Sequence, residues 1–241
     1  MASYWNTPSY SQPTAEELRR RVKNSKKAAS ARGKMLHPIA ASGRKIVASW
    51  WGRAWCENLE RYADFDNRLD RGKRYIRSGA VLDLQISKGK VSARVQGSRR
   101  TPYKVEIRIS PLNEKNCDKI IRACGSRIQN LEELVSGSFP EDLKQLFQEK
   151  GGLFPSSREI SFDCSCPDWA LLCKHVAAAL YGIGVRLDED PLLFFELRGI
   201  DPGRFIDVTI RDRIERMLQN ADTPSSRIID DAEVHGLFGV I

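Results

Sequence analysis

The sequence predicts an α+β fold: a small antiparallel β-meander packed with several helices, followed by a short strand–turn–helix module. Three observations predict it. Apolar side chains alternate with period two in residues 81–86, 91–96 and 103–109, the signature of three half-buried strands. Apolar side chains recur at helical spacing on both sides of that meander, at Trp51, Trp55, Leu59 and Tyr62 and again at Ile120, Ile121, Cys124 and Ile128. A dense Cys/His cluster, Cys164 to His175, then lies between a short strand-like run and an alanine-rich helix.

The elements follow in order. Residues 1–13 have no apolar period and read as disordered. Thr14 and Glu17 are spaced as a capping box. The helix they would start is basic almost all round, with Leu18 and Val22 as its few apolar positions. Such a helix offers little surface to bury, so residues 1–45 are expected to be a basic, flexible tail that orders on a partner. Ser49 is placed to cap the tryptophan helix, whose rings are expected to fill the core rather than stack on bases.

Residues 66–79 gather five basic side chains around Tyr75 and two glycines. The expectation is a loop or strand edge that meets a phosphate backbone, with Arg71, Lys73, Arg74 and Arg77 on phosphates and Tyr75 on a base. A solvated loop with Tyr75 in the core is the competing reading. In the meander, Leu82, Leu84 and Ile86, then Val91, Ala93 and Val95, then Tyr103, Val105, Ile107 and Ile109 would share the core face. Gly89 suits the first turn. Arg94 on the opposite face, with Arg99 and Arg100 in the second turn, extends the basic surface.

Asn113 should cap the next helix, with Leu131, Leu134 and Val135 continuing its pattern. Pro140 starts another, carrying Leu143, Leu146 and Phe147, and residues 158–162 form a strand that delivers Cys164. The helix after His175 is expected to stop at Gly182. Pro191 opens a short apolar helix, a further amphipathic helix runs from Phe205 to Leu218, and residues 233–241 form an apolar end. The domain layout expected is a tail at 1–45, an α+β domain at 46–150, a module carrying the Cys/His cluster at 151–187 and a C-terminal helical segment at 188–241.

Composition narrows the function classes. With 41% apolar and 29% charged residues in 241, the chain has the make-up of a globular protein large enough to bury a core. No apolar run approaches a membrane span, and residues 1–6 lack a secretory layout, so a reducing, cytoplasmic location is expected. Cys56, Cys117 and Cys124 are then free thiols. The net charge of +8 resides in residues 1–45, and residues 188–241 are acidic. This asymmetry points to a polyanionic partner, with Arg19, Arg20 and Arg21 leading the basic end.

The chemistry concentrates in Cys164-Ser165-Cys166 and Cys173-Lys174-His175. Residues i and i+2 of an extended chain point the same way, so each pair can grip one ion. Three thiolates and an imidazole complete a tetrahedral zinc shell and leave no position for water, which makes such a site structural rather than catalytic. A disulfide would strand one cysteine, and a Cys/His nucleophile would lack an orienting third group. Neither a phosphate-cradling Gly-x-x-x-x-Gly-Lys loop nor a carboxylate cluster is present in the sequence, so a non-enzymatic protein is expected.

Cys-x-Cys, six residues, Cys-x-His and a helix together resemble the SWIM-type zinc finger, over residues 158–187. The wider chain resembles the stand-alone bacterial proteins of that type, at Trp51-Gly52-Arg53-Ala54-Trp55, at Arg74-Tyr75-Ile76-Arg77-Ser78-Gly79 and at Leu237-Phe238-Gly239. The resemblance implies one structural zinc ion, contact with nucleic acid, chiefly DNA, and partnership with a Swi/Snf-class DNA-dependent ATPase or helicase. A protein adaptor that holds its partner through the zinc module and the C-terminal third, without touching nucleic acid, is the alternative.

Overall fold

The three alternating stretches are strands, as their period indicates, and short connections pair them as antiparallel neighbours. The structure is a computed structural model and describes residues 13–41, 43, 45–62, 66–127 and 143–219. The sheet has the order β1 (Val81–Ser87), β2 (Lys90–Val95), β3 (Tyr103–Ile109), β4 (Ile160–Cys164), every pair antiparallel. Register places Leu84 beside Ala93, Ala93 beside Val105 and Val105 beside Cys164. One row of the core face therefore ends on the first cysteine of the cluster. Gly89 turns the first hairpin at φ 67°, a conformation that other residues adopt at a cost. β1 departs from simple alternation, since Val81 and Asp83 are also buried. The segment around Ile39 covers that strand: Ile39 N–H donates to Val81 O, and Leu84 N–H donates to His37 O, both at 3.0 Å.

Eight helices occur among the described residues: α1 (Ala15–Ser30), α2 (Trp50–Glu60), α3 (Asp66–Arg77), α4 (Glu114–Arg127), α5 (Leu143–Gln148), α6 (Lys174–Glu189), α7 (Leu193–Leu197) and α8 (Pro202–Gln219). Helix α6 is the centre of the fold. It is buried along nearly its whole length and lies on the sheet, with α2 and α3 packed against it. The tryptophan helix is core, as its spacing implies. Trp55 Nε1–H donates to Leu180 O at 3.1 Å and Trp51 Nε1–H to Leu187 O at 3.0 Å, so both indoles lock onto α6. Each fully buried Leu, Ile or Phe in this layer contributes about 1.5–3 kcal/mol.

The structure corrects several expectations. α6 does not stop at Gly182; it continues through Gly184 to Glu189. These glycines make room for neighbours rather than ending the helix. A Cβ on Gly182 would meet Leu84 Cδ1 at 2.9 Å, and one on Gly184 would meet Cys56 Sγ at 3.1 Å. Residues 66–79 are not a loop or strand edge. Asp66–Arg77 form α3, and Tyr75 is fully buried, so it offers no face to a base. The stripe of Leu69, Gly72, Tyr75 and Ile76 was diluted by arginines and a glycine, which hid its helical period.

The expected flexible tail is, over 15–30, a helix docked on the body. The Thr14–Glu17 capping box forms, with Glu17 N–H donating to Thr14 Oγ1 at 3.2 Å. Leu18 and Val22 are buried, enough apolar surface to hold α1 in place. The boundaries expected at 45/46, 150/151 and 187/188 do not separate cores either, because one apolar cluster runs from Leu18 to Ile200 through all four segments. Residues 1–12, Ile128, Leu131, Leu134, Val135, Pro140 and 220–241 lie outside the described residues.

Candidate metal centre and nucleic-acid interface

Two elements deliver the four ligands. Cys164 ends β4 opposite Val105. The pairing extends one residue further, because Ser165 N–H donates to Lys104 O at 3.0 Å and Lys104 N–H donates to Ser165 Oγ at 2.9 Å. The chain bends over residues 165–167 directly after the strand, and the Cys166 thiol lies within 4.8 Å of the Cys164 thiol. Cys173 is the N-cap of α6, and its carbonyl accepts from Ala177 N–H at 2.9 Å. His175 is the second helical residue. The intervening loop is pinned to α3 by Arg68 Nη2, which donates to Asp168 Oδ1 at 3.1 Å.

The ligand atoms of Cys164, Cys166, Cys173 and His175 all lie within 4.8 Å of one another. Cys164 Sγ and Cys173 Sγ each stand 3.9 Å from His175 Nδ1. A tetrahedral zinc shell with ordinary bond lengths has ligand–ligand edges of about 3.5–3.8 Å, so the cluster fits such an ion with little adjustment. Cys173 and His175 are buried, while Cys164 and Cys166 are half-buried. The imidazole lies against Tyr103, with ring centroids 4.2 Å apart, and Tyr75 meets it edge-on at 5.5 Å. Gly97 completes this slot: a Cβ there would come 2.7 Å from His175 Nε2.

The protonation chemistry suits a cation. Burial lowers the pKa of His175, which keeps the imidazole neutral, the form that coordinates a metal. Hydrogen bonds from Cys164 and Cys173 hold the Cys166 thiol below its ordinary value. The Cys164 thiol is pushed up by its hydrogen bonds to Cys166 and Cys173 and by burial. The cluster thus favours one thiolate and resists the next, because anions crowd together. A dication at the centre removes that resistance.

The sequence-derived nucleic-acid residues divide between several faces. Arg19 and Arg20 are exposed on α1, and Arg94, Arg99 and Arg100 are exposed on β2 and the loop after it. Lys73 is directed elsewhere: its Nζ is 2.8 Å from Glu60 Oε1 and lies over the Tyr181 ring. Arg74 is half-buried and Arg77 exposed on α3, whereas Arg71 lines a cleft of ≈ 330 Å³ beside the ligand cluster. Arg21 reaches across to the Ser98 carbonyl and fixes α1 to the second turn. Ser25 Oγ donates to Gln96 Oε1 at 2.6 Å and strengthens that junction.

The docking of α1 creates a feature that the sequence reading missed. A groove of ≈ 760 Å³ opens between α1, the turn after it, and the end of β2 with the loop that follows. Arg21, Arg32, Lys34, Arg94 and Arg100 line it, and no carboxylate among the described residues does. Arg32 and Lys34 carried no motif in the sequence. They join Arg94 and Arg100 only because Leu18 and Val22 bring α1 onto the sheet.

Comparison with known proteins agrees with the geometry. Residues 163–182 match the family model of the SWIM zinc finger. Over 156 residues the chain is 40% identical to the uncharacterized protein Rv2102 of Mycobacterium tuberculosis (strain ATCC 25618 / H37Rv). That alignment covers 64% of this chain and 56% of the relative, so the chain spans little more than half of that protein's length. No solved structure matches the chain significantly. The matched segment contains all four ligands and the first half of α6: the chain carries a SWIM zinc finger.

Proposed function

We propose that this SWIM zinc finger protein holds one structural zinc ion on Cys164, Cys166, Cys173 and His175 and uses the body around it to bind nucleic acid. The partner favoured by the resemblance is DNA, with the protein acting as a non-enzymatic accessory to a Swi/Snf-class DNA-dependent ATPase or helicase in the cytoplasm. One observation carries the nucleic-acid reading: five cationic side chains converge on a groove that no carboxylate among the described residues lines. Such an arrangement is unfavourable unless anions or water screen it, and a phosphate backbone supplies anions at regular spacing. Zinc would act through the fold, by tying β4 to the start of α6 and so fixing the sheet that forms one wall of the groove.

A salt titration tests this reading. Binding through several phosphates gives log–log slopes of about −0.9 per phosphate on duplex DNA. The double variant Arg94→Glu/Arg100→Glu should weaken binding to every sequence alike and flatten the slope, with thermal stability unchanged. A folded double variant with the original affinity and slope would remove the groove from the interface.

A second reading, the protein adaptor, draws on α8. Ile210, Ile214, Met217 and Leu218 recur at helical spacing and are all substantially exposed. On that reading, co-purification of a partner is lost when Ile214 and Leu218 become Lys, and nucleic-acid affinity does not change. No described helix is long and apolar enough to cross a membrane.

A further inference from the structure

Trp169 is 82% exposed, on the loop that joins the two halves of the ligand cluster. The loop is not free to fold the indole away, since Asp168 is held by Arg68 and its Oδ1 also accepts from Ala170 N–H. Trp169 stands at the ≈ 330 Å³ cleft beside the cluster; Arg71 and Lys174 line the same cleft, as does Asp168, whose carboxylate is paired with Arg68. An aromatic face flanked by cations is the pairing that nucleobases and their phosphates occupy.

This cleft and the basic groove adjoin. Arg21 lines the groove, Ser98 lines the cleft, and Arg21 donates to the Ser98 carbonyl. Pro13, just before α1, also lines the cleft, whereas Ala29 and Arg32, at the far end of the helix, line the groove. The two openings thus follow α1 from end to end, a span of about 24 Å for a 16-residue helix.

We infer, resting on the nucleic-acid reading above, that the ligand is single-stranded: its phosphates follow the groove along α1 and one of its bases stacks on Trp169. A duplex keeps its bases stacked on one another and can use only the phosphate-binding part of this path. Strand polarity and base identity play no part in the recognition, because cations and an indole face accept every base.

Affinities of the zinc-loaded full chain for a fluorescent oligothymidylate and for a duplex test the inference. Trp169→Leu should lower oligothymidylate affinity about five- to 150-fold, the loss of one base–aromatic stack, and leave duplex affinity unchanged. Trp169→Phe should retain most of the affinity, which an apolar packing role would not separate from Leu. Arg94→Glu/Arg100→Glu should weaken both ligands. If Trp169→Leu binds oligothymidylate as the parent does, or weakens both ligands equally, the stacking site is overturned while the nucleic-acid reading stands. If the parent chain binds neither ligand at low salt, that reading fails first and this inference falls with it.

Discussion

Gly72 lies so close to Ala177 that a Cβ on Gly72 would sit 2.5 Å from the Ala177 Cβ and 3.1 Å from the backbone of Ala177 and Ala178. Gly72, one of the two glycines in the stretch expected to meet a phosphate backbone, lets α3 approach α6. Gly72→Ala gains helix propensity, up to about 1 kcal/mol. The clash is with a helix backbone and a methyl group that cannot rotate away, so overpacking of about 1–3 kcal/mol should win. The expected result is a lower melting temperature, and a rise would show that the two helices separate freely.

Tyr75 gives a prediction with two signs. It is fully buried against His175, and its hydroxyl has no hydrogen-bond partner among the described residues. Burial raises its pKa accordingly. Tyr75→Ala should cost about 3–5 kcal/mol, as for other large aromatic deletions. Tyr75→Phe removes only an unpaired buried hydroxyl and should be neutral or stabilising by up to about 1–3 kcal/mol. Chemical denaturation of both variants checks the pair of expectations.

The legible parts of the fold were those in which short-range pattern and tertiary burial agree. The meander is such a case, since Val91, Ala93 and Val95 face the core and Arg94 faces out, as alternation requires. The Cys/His cluster is another, because the spacing of its four residues along the chain already constrains how they meet. The Thr14–Glu17 capping box was also visible, yet the fate of its helix was not. Whether Leu18 and Val22 suffice to dock α1 depends on a surface that only the folded sheet provides. α3 was hidden for the opposite reason, as its contact with α6 relies on the absence of a side chain at Gly72. The basic groove was out of reach because it joins Arg32 and Lys34 to Arg94 and Arg100 across some sixty residues of sequence.

Arg198 predicts an acid sensitivity. Its side chain is 1% exposed, and it donates to Ser110 O at 2.7 Å and to Glu159 Oε1 at 2.5 Å. Burial pushes the Glu159 carboxyl up, but hydrogen bonds from Arg198 and Ser156 outweigh it and leave the pKa below the usual range. A carboxylate whose folded pKa is depressed contributes stability above its unfolded pKa of about 4.3 and loses it as pH falls through the folded value. Glu159→Gln should therefore be less stable at neutral pH, by about 1–3 kcal/mol for a charged hydrogen bond, and nearly equal to the parent in strong acid. Parallel denaturation curves at both pH values measure the difference.

Metal removal should loosen the protein without unfolding it. In an isolated zinc finger the apparent metal-binding energy of about 10–16 kcal/mol is the folding energy, because no other core exists. Here α6 is buried from Val176 to Gly184 and again at Leu187 against the sheet, α2 and α3, and that packing should persist when the ligands at its N-terminal end lose their ion. A chelator should lower the melting temperature of the parent while a cooperative transition remains. Cys173→Ala should fail to retain zinc by elemental analysis, start from the lower melting temperature and respond little to the chelator. His175→Ala should do the same and in addition leave a hole beside Tyr103 and Tyr75, so it should be the less stable of the two variants. An equal chelator-induced shift in parent and Cys173→Ala would place the stabilising ion somewhere other than this cluster.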